Sequence, residues 1–231
     1  MGREREMAEV ERGLAATRLL TLTGAGGSGK TRLAVEAARD LISAYPDGVW
    51  LVGLAPLSEG ALVPKEVAQA LGVPERPAQP LDETLAEVLR DRELLLLIDN
   101  CEHLLQATAR LVDGLLDACP HVSILVTSRE AICVEGEARR LVPPLLVPED
   151  GSPSEELQEY ESVRLFVERA GGRDSTFSLG PQNARAVTEI CGRLEGIPLA
   201  IELAAARVGT LSLEQISQRL ASTYASTGFK L

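Results

Sequence analysis

The 231 residues are 45% hydrophobic, 3% aromatic and 25% charged. That is an ordinary globular balance, which leaves the core to Leu, Ala, Val and Ile and gives length for one large domain and a small one. A net charge of −11 speaks against a general nucleic-acid binder, which needs a basic face to neutralise phosphates, so no direct nucleic-acid binding is expected of this segment.

Residues 1–12 are charged and helical in character. Arg18 to Thr23 (RLLTLT) is a short apolar run that stops at Gly24 and predicts a buried strand. From Thr31 to Ser43, Leu33, Ala37 and Leu41 recur on one row and Ala34, Ala38 and Ile42 on the next, the spacing of a helix. Gly48 to Leu54 predicts a second strand, and helices are expected near 63–71 and 81–90, on either side of the Pro-rich segment 74–80. Leu94 to Ile98 is a continuous apolar run ending at Asp99, the pattern of a parallel strand covered on both faces. Helical spacing returns over 102–118. Val122 to Val126 predicts a fourth strand ending in Thr127-Ser128-Arg129, and Arg140 to Val142 a fifth.

Strands alternating with helices predict an α/β fold, a three-layer arrangement with helices on both faces of a parallel sheet. Ligands of such sheets bind beyond the carboxyl ends of the strands. Gly24–Thr31, Asp99 and Arg129 all fall there.

Composition shifts over 143–154, where prolines, Gly151 and acidic residues predict a linker. Everything beyond is helical in pattern. Val163, Phe166, Val167 and Ala170 share one face, as do Val187, Ile190, Cys191 and Leu194. The stretch 198–208 is apolar nearly all round and stops at Gly209. Ser212 and Gln215 stand at capping-box spacing, with Leu211 and Ile216 as a staple. The tail after Leu220 is small and polar and is expected to fray. These shifts divide the chain into an α/β domain over 1–147 and an all-helical domain over 148–231. Cys101, Cys119, Cys133 and Cys191 lack zinc-site spacing and read as small buried hydrophobes in a reducing compartment. The sequence has neither a signal peptide nor an apolar run of spanning length, so a cytoplasmic protein without a membrane partner is expected.

Gly24-Ala25-Gly26-Gly27-Ser28-Gly29-Lys30-Thr31 fits G-x-x-x-x-G-K-[ST] without adjustment. Residues of this type make a polyphosphate cradle. Gly24, Gly26, Gly27, Ser28 and Gly29 let successive backbone N–H groups turn around an anion, and the following helix aims its positive end at the same place. Lys30 supplies a cation for the β and γ phosphates, Thr31 a hard oxygen for Mg²⁺, and Arg32 in the first helical turn completes the expected nucleotide-binding set. Asp99, a carboxylate at the end of a buried strand, suits the second Mg²⁺ anchor, held through water. Thr127-Ser128-Arg129 reads either as a sensor of the γ phosphate or as a turn with a solvated arginine.

Five motifs in order then resemble a known family. Gly2-Arg3-Glu4 looks like its Gly-Arg-Glu box, Gly24–Thr31 its Walker A motif and Leu94–Asp99 its Walker B motif. Ile124–Glu130 resembles its sensor-1 strand and Gly196-Ile197-Pro198 its Gly-x-Pro helix. Together they resemble the NB-ARC type of STAND P-loop NTPase, most closely the form in bacterial LuxR-type and antibiotic-regulatory (AfsR/SARP-like) transcription factors. The resemblance implies a switch that binds ATP or ADP with Mg²⁺. Arg3 would lie near the adenine, Pro198 would pack on the nucleotide, and Arg129 would meet the γ phosphate. It also implies protein partners or further domains of a longer regulator, and nucleotide-dependent self-association. The winged-helix, repeat and DNA-binding parts expected of such regulators are not in this sequence.

Many relatives carry two consecutive acids after the Walker B strand, whereas Asn100 follows Asp99 here. An amide cannot take a proton from water. Hydrolysis is therefore expected to be slow or absent, with Lys30, Asp99, Glu102 and Arg129 as the catalytic candidates. Glu102 either replaces the missing acid or opens the next helix, where acids are favoured. Two other classes stay open: a P-loop kinase or phosphotransferase acting on a small acceptor, and an interaction module holding ADP structurally.

Overall fold

The computed structural model describes residues 3–149, 153 and 156–227. It divides into two compact units, Met1–Val142 and Pro143–Leu231. In the first unit the order is α1 (Glu4–Ala16), β1 (Leu19–Thr23), α2 (Lys30–Asp40), β2 (Val49–Gly53), α3 (Val63–Leu71), α4 (Leu81–Leu89), β3 (Leu95–Asp99), α5 (Leu105–Ala118), β4 (Ser123–Thr127) and β5 (Ala138–Leu141). The strands form one sheet in the order β2-β3-β4-β1-β5, and every neighbouring pair is parallel.

Alternation along the strands builds two cores. Leu19, Leu96, Ile98, Ile124 and Val126 pack on one face with Val67, Leu85, Leu89, Leu111 and Leu115 of α3, α4 and α5. Leu20, Leu22, Leu95, Leu97 and Leu125 pack on the other with Val10 and Leu14 of α1 and Leu33, Ala34 and Ala37 of α2. The sheet is thus covered on both sides, which is why β3 reads as an unbroken apolar run up to Asp99. Burial of each such leucine contributes roughly 1.5–3 kcal/mol. At one edge, β5 is the exception, with Arg139, Arg140 and Leu141 exposed.

The second unit holds α6 (Glu161–Gly171), α7 (Ala184–Arg193), α8 (Pro198–Ala205) and α9 (Leu213–Thr227). Its core gathers Val163, Phe166, Val187, Ile190, Cys191, Ile201 and Ile216. The Phe166 and Phe177 rings meet edge-on with centroids 6.1 Å apart. The capping box forms: the Gln215 N–H donates to Ser212 Oγ at 3.3 Å and the Ser212 N–H to Gln215 Oε1 at 3.0 Å.

Four local expectations are corrected. Over 143–149 the segment after Val142 is not a free linker, while Gly151 lies outside the described residues. The Leu145 N–H donates to the Gly196 carbonyl at 2.9 Å, the Ser162 hydroxyl donates to the Leu146 carbonyl at 2.7 Å, and Leu145 and Pro148 are buried. Prolines are frequent in it, but Val147 packs against the core of the second unit and its backbone finds partners. Helix α9 runs on to Thr227 instead of fraying after Leu220, since neither Gly nor Pro interrupts the sequence before residue 228. Cys133 is exposed, in a loop where its φ is +60°, while the other three cysteines are buried. Finally, α5 begins at Leu105, so Glu102 does not open it. Gly2 lies outside the described residues.

Candidate functional site

β1 ends at Thr23, and the chain turns at Gly24 with φ +148°. A Cβ on Gly24 would stand 2.7 Å from the Val142 carbonyl oxygen, so any side chain would lift the loop away from the β5 edge. The Ser28 N–H closes the turn on the Ala25 carbonyl at 3.2 Å. Among the described residues, the N–H groups of Gly26, Gly27, Gly29, Lys30 and Thr31 have no protein acceptor. Helix α2 begins here, so unpaired donors and the positive end of a helix macrodipole coincide. The Ser28 hydroxyl is buried and also lacks a protein partner. Donors left in this way suit an oxyanion.

Lys30 is 8% exposed. Its ammonium donates to the carbonyls of Gly24 at 2.8 Å and Ala25 at 3.0 Å. Its pKa lies below the ordinary lysine value, first because it is buried. Glu102 and Asp99 raise it, and Arg129 lowers it further.

The sheet register brings the other groups here. Ile98 of β3 pairs with Val126 of β4, so Asp99 and Thr127 follow side by side. The Thr127 hydroxyl donates to Asp99 Oδ1 at 2.5 Å, and the Thr31 hydroxyl donates to the same oxygen at 2.6 Å. Asn100 turns with φ +62° and gives its N–H to Thr127 Oγ1 at 3.0 Å. One carboxylate thus joins the first turn of α2 to the ends of two central strands. No cluster of three or more Asp, Glu, His or Cys able to hold a metal occurs among the described residues. A hydroxyl beside one carboxylate fits Mg²⁺, which keeps waters and shares phosphate oxygens, better than an ion needing a full protein cage.

Glu102 lies in the turn before α5. Its Oε1 accepts from Arg129 Nε at 3.1 Å, while Oε2 is buried with no protein partner. Arg129 Nη2 stands 3.4 Å from where a Cβ on Gly26 would be. Lys30, Thr31, Asp99, Glu102, Thr127 and Arg129 therefore converge with the glycine loop at the carboxyl end of the sheet. Arg32 follows in α2 and is exposed. Arg3 occupies the N-cap position of α1 with φ +68°, and its carbonyl accepts the Met7 N–H at 2.9 Å.

Pro198 opens α8 in the second unit. Gly196 has φ +68°, and a Cβ there would run into the Leu145 backbone carbonyl, so a close main-chain approach explains this glycine without any ligand. Sequence reasoning missed the clamp of Thr127 on Asp99 and the pairing of Glu102 with Arg129. Pairing β3 with β4 one residue before each strand end would have exposed the first. The second joins two turns, for which no sequence periodicity exists.

A parallel sheet whose first strand runs through a Gly-rich loop into a helix opened by Lys-Thr, with an aspartate closing a central strand nearby, defines a P-loop ATPase-type α/β domain. The AAA domain family matches residues 14–132, just over half of the chain, and the chain belongs to that family. A Mycobacterium bovis protein whose name describes an HTH-type transcriptional regulator is 44% identical over 207 residues, covering 90% of this chain and 22% of that protein. The regulatory protein AfsR of Streptomyces griseus is 32% identical over 195 residues, covering 81% of this chain and 18% of AfsR. The chain therefore spans about a fifth of these relatives' length.

Among solved structures, the Walker-type ATPase of Pyrococcus abyssi superposes with a TM-score of 0.65 at 14% identity, over 98% of this chain and 73% of that one. A STAND protein with a tetratricopeptide repeat sensor from Pyrococcus horikoshii gives a TM-score of 0.55 at 14% identity, over 96% and 32%. At such identities the likeness concerns the fold alone. No helix among the described residues is long and apolar enough to cross a membrane.

Proposed function

We propose that this chain is the ATP/ADP-binding switch domain of a STAND-type regulator of the NB-ARC kind, with slow or absent hydrolysis. The observation that carries this reading is the set of acceptor-free N–H groups from Gly26 to Thr31 around the Lys30 ammonium, next to the bond between Thr31 and Asp99. In this reading Gly24–Thr31 hold the phosphates, with Arg32 beside them, and Thr31 and Asp99 hold Mg²⁺. The ion, when bound, supplies positive charge to the phosphate oxygens.

Hydrolysis is slow because Asn100 cannot accept a proton and because Glu102 is engaged by Arg129. By family resemblance, Arg3 approaches the adenine and Pro198 packs on the nucleotide. Exchange of ADP for ATP adds a charge that Lys30 and Arg129 can engage, and this differential contact is what shifts a two-state equilibrium. The likeness to the two regulators, with that to the STAND structure, supports a signal-transduction role within a longer cytoplasmic protein. Its partners would be further domains and other copies of itself.

The test is titration calorimetry of Lys30→Ala with ADP and with ATP. Affinity should fall by about a hundredfold or more, since a charge-assisted contact to phosphate is lost. Undiminished binding of both nucleotides would overturn the proposal. The nucleotide released when the purified protein is denatured identifies the resting state.

A further inference from the structure

The Arg129 guanidinium lies between Glu102 and the glycine loop. Glu102 accepts from its Nε at 3.1 Å, and its Nη2 stands 3.4 Å from where a Cβ on Gly26 would be. The Glu102 side chain is 20% exposed and that of Arg129 64%, so the carboxylate is the sheltered partner of the pair. Its second oxygen is buried and takes no hydrogen bond from the protein. Asp99 differs, because two hydroxyls neutralise part of its charge. Glu102 also exerts the largest charge effect on the Lys30 ammonium, larger than those of Arg129 and Asp99. An under-solvated carboxylate is therefore paired with one cation, Arg129, and acts electrostatically on the other, Lys30. With Lys30 and Arg129 positive and Asp99 and Glu102 negative, the formal charges cancel.

We propose that Glu102 determines nucleotide preference: by occupying Arg129 and repelling a third phosphate, it biases the site toward the diphosphate. This rests on the nucleotide reading given above. A terminal phosphate must draw the guanidinium away from Glu102 and tolerate an unpaired carboxylate nearby. A diphosphate asks for neither, because it leaves the ion pair intact. The preference is thus built as a repulsion against the wrong ligand.

The test measures the Kd of ADP and of a non-hydrolysable triphosphate, AMP-PNP, with Mg²⁺ at fixed salt. It uses the unaltered protein, Glu102→Gln, Glu102→Ala, Arg129→Gln and the Glu102→Gln/Arg129→Gln double variant. The quantity read is the ratio of the two Kd values, in which any loss of folded protein divides out. Both Glu102 variants should move the ratio toward the triphosphate by about five- to tenfold, as befits removal of a partly sheltered ion pair and one repulsive charge. In the Arg129→Gln background the same substitution should move it by clearly less. A ratio unchanged within about twofold in both Glu102 variants, or an equal change with and without Arg129, would overturn the inference. If the unaltered protein bound neither nucleotide, the nucleotide reading itself would fall. If ADP bound and only the ratio stayed put, this inference alone would fall.

Discussion

Replacing Thr127 by Val tests whether Asp99 is held as described. Thr127 is 1% exposed and close to valine in shape, so the change opens no cavity. It removes the hydroxyl that donates to Asp99 Oδ1 at 2.5 Å and accepts the Asn100 N–H at 3.0 Å. A hydrogen bond to a charged group contributes about 1.5–3 kcal/mol, and a half-buried N–H left unpaired costs about 1 kcal/mol more. Part of this is offset because valine buries no polar atom, so the net loss should be about 2 kcal/mol. Urea denaturation should show it as a lower midpoint with an unchanged slope. The functional counterpart is metal dependence. With only Thr31 left on Asp99, the gain in ADP affinity on adding Mg²⁺ should shrink by about tenfold. Thr127→Ser should restore both properties. Stability within about 0.5 kcal/mol of the original together with intact Mg²⁺ dependence would refute the clamp, as would a serine variant no better than valine.

Because burial lowers the Lys30 pKa, nucleotide affinity should begin to decline with rising pH below the ordinary lysine value. The ligand-free fold, which holds the proton less tightly than the unfolded chain, should gain stability over that same window, and Lys30→Met should show neither trend. Gly196→Ala should cost about 2–4 kcal/mol through its positive φ and its collision with the Leu145 carbonyl, read as faster amide exchange at Leu145 and a lower urea midpoint. A disulfide reagent at pH 8 should label Cys133 quickly in the native protein. Burial pushes Cys101 up to about 11 and Cys191 to about 12, leaving on the order of one thiolate in a thousand at Cys101, so rapid native labelling of Cys101 would contradict its burial.

What was legible in the sequence follows from where the physics is local. The loop from Gly24 to Thr31 could be read because its chemistry is contained in eight successive residues. The strand before Asp99 could be read because both its faces are buried, which turns burial into an unbroken apolar run. Strand β5 is an exposed edge containing two arginines, and its register came out late by one or two residues. Pro143 and its neighbours dominate the sequence pattern of their segment, although Leu145 is buried and bonded to Gly196 and Val147 packs against the second core. The bond between Glu102 and Arg129 spans 27 residues and depends on strand adjacency, which no local pattern announces.

Val142, the last residue of the first unit, is tied to the end of β1 just before the glycine loop and faces Gly24 with its carbonyl. Its N–H donates to the Thr23 carbonyl at 2.7 Å, and its own carbonyl oxygen would stand 2.7 Å from any Cβ at Gly24. A side chain at position 24 would therefore meet main chain first, at the point where the polypeptide leaves the sheet, so the space beside Gly24 is set by backbone and not by the identity of residue 142.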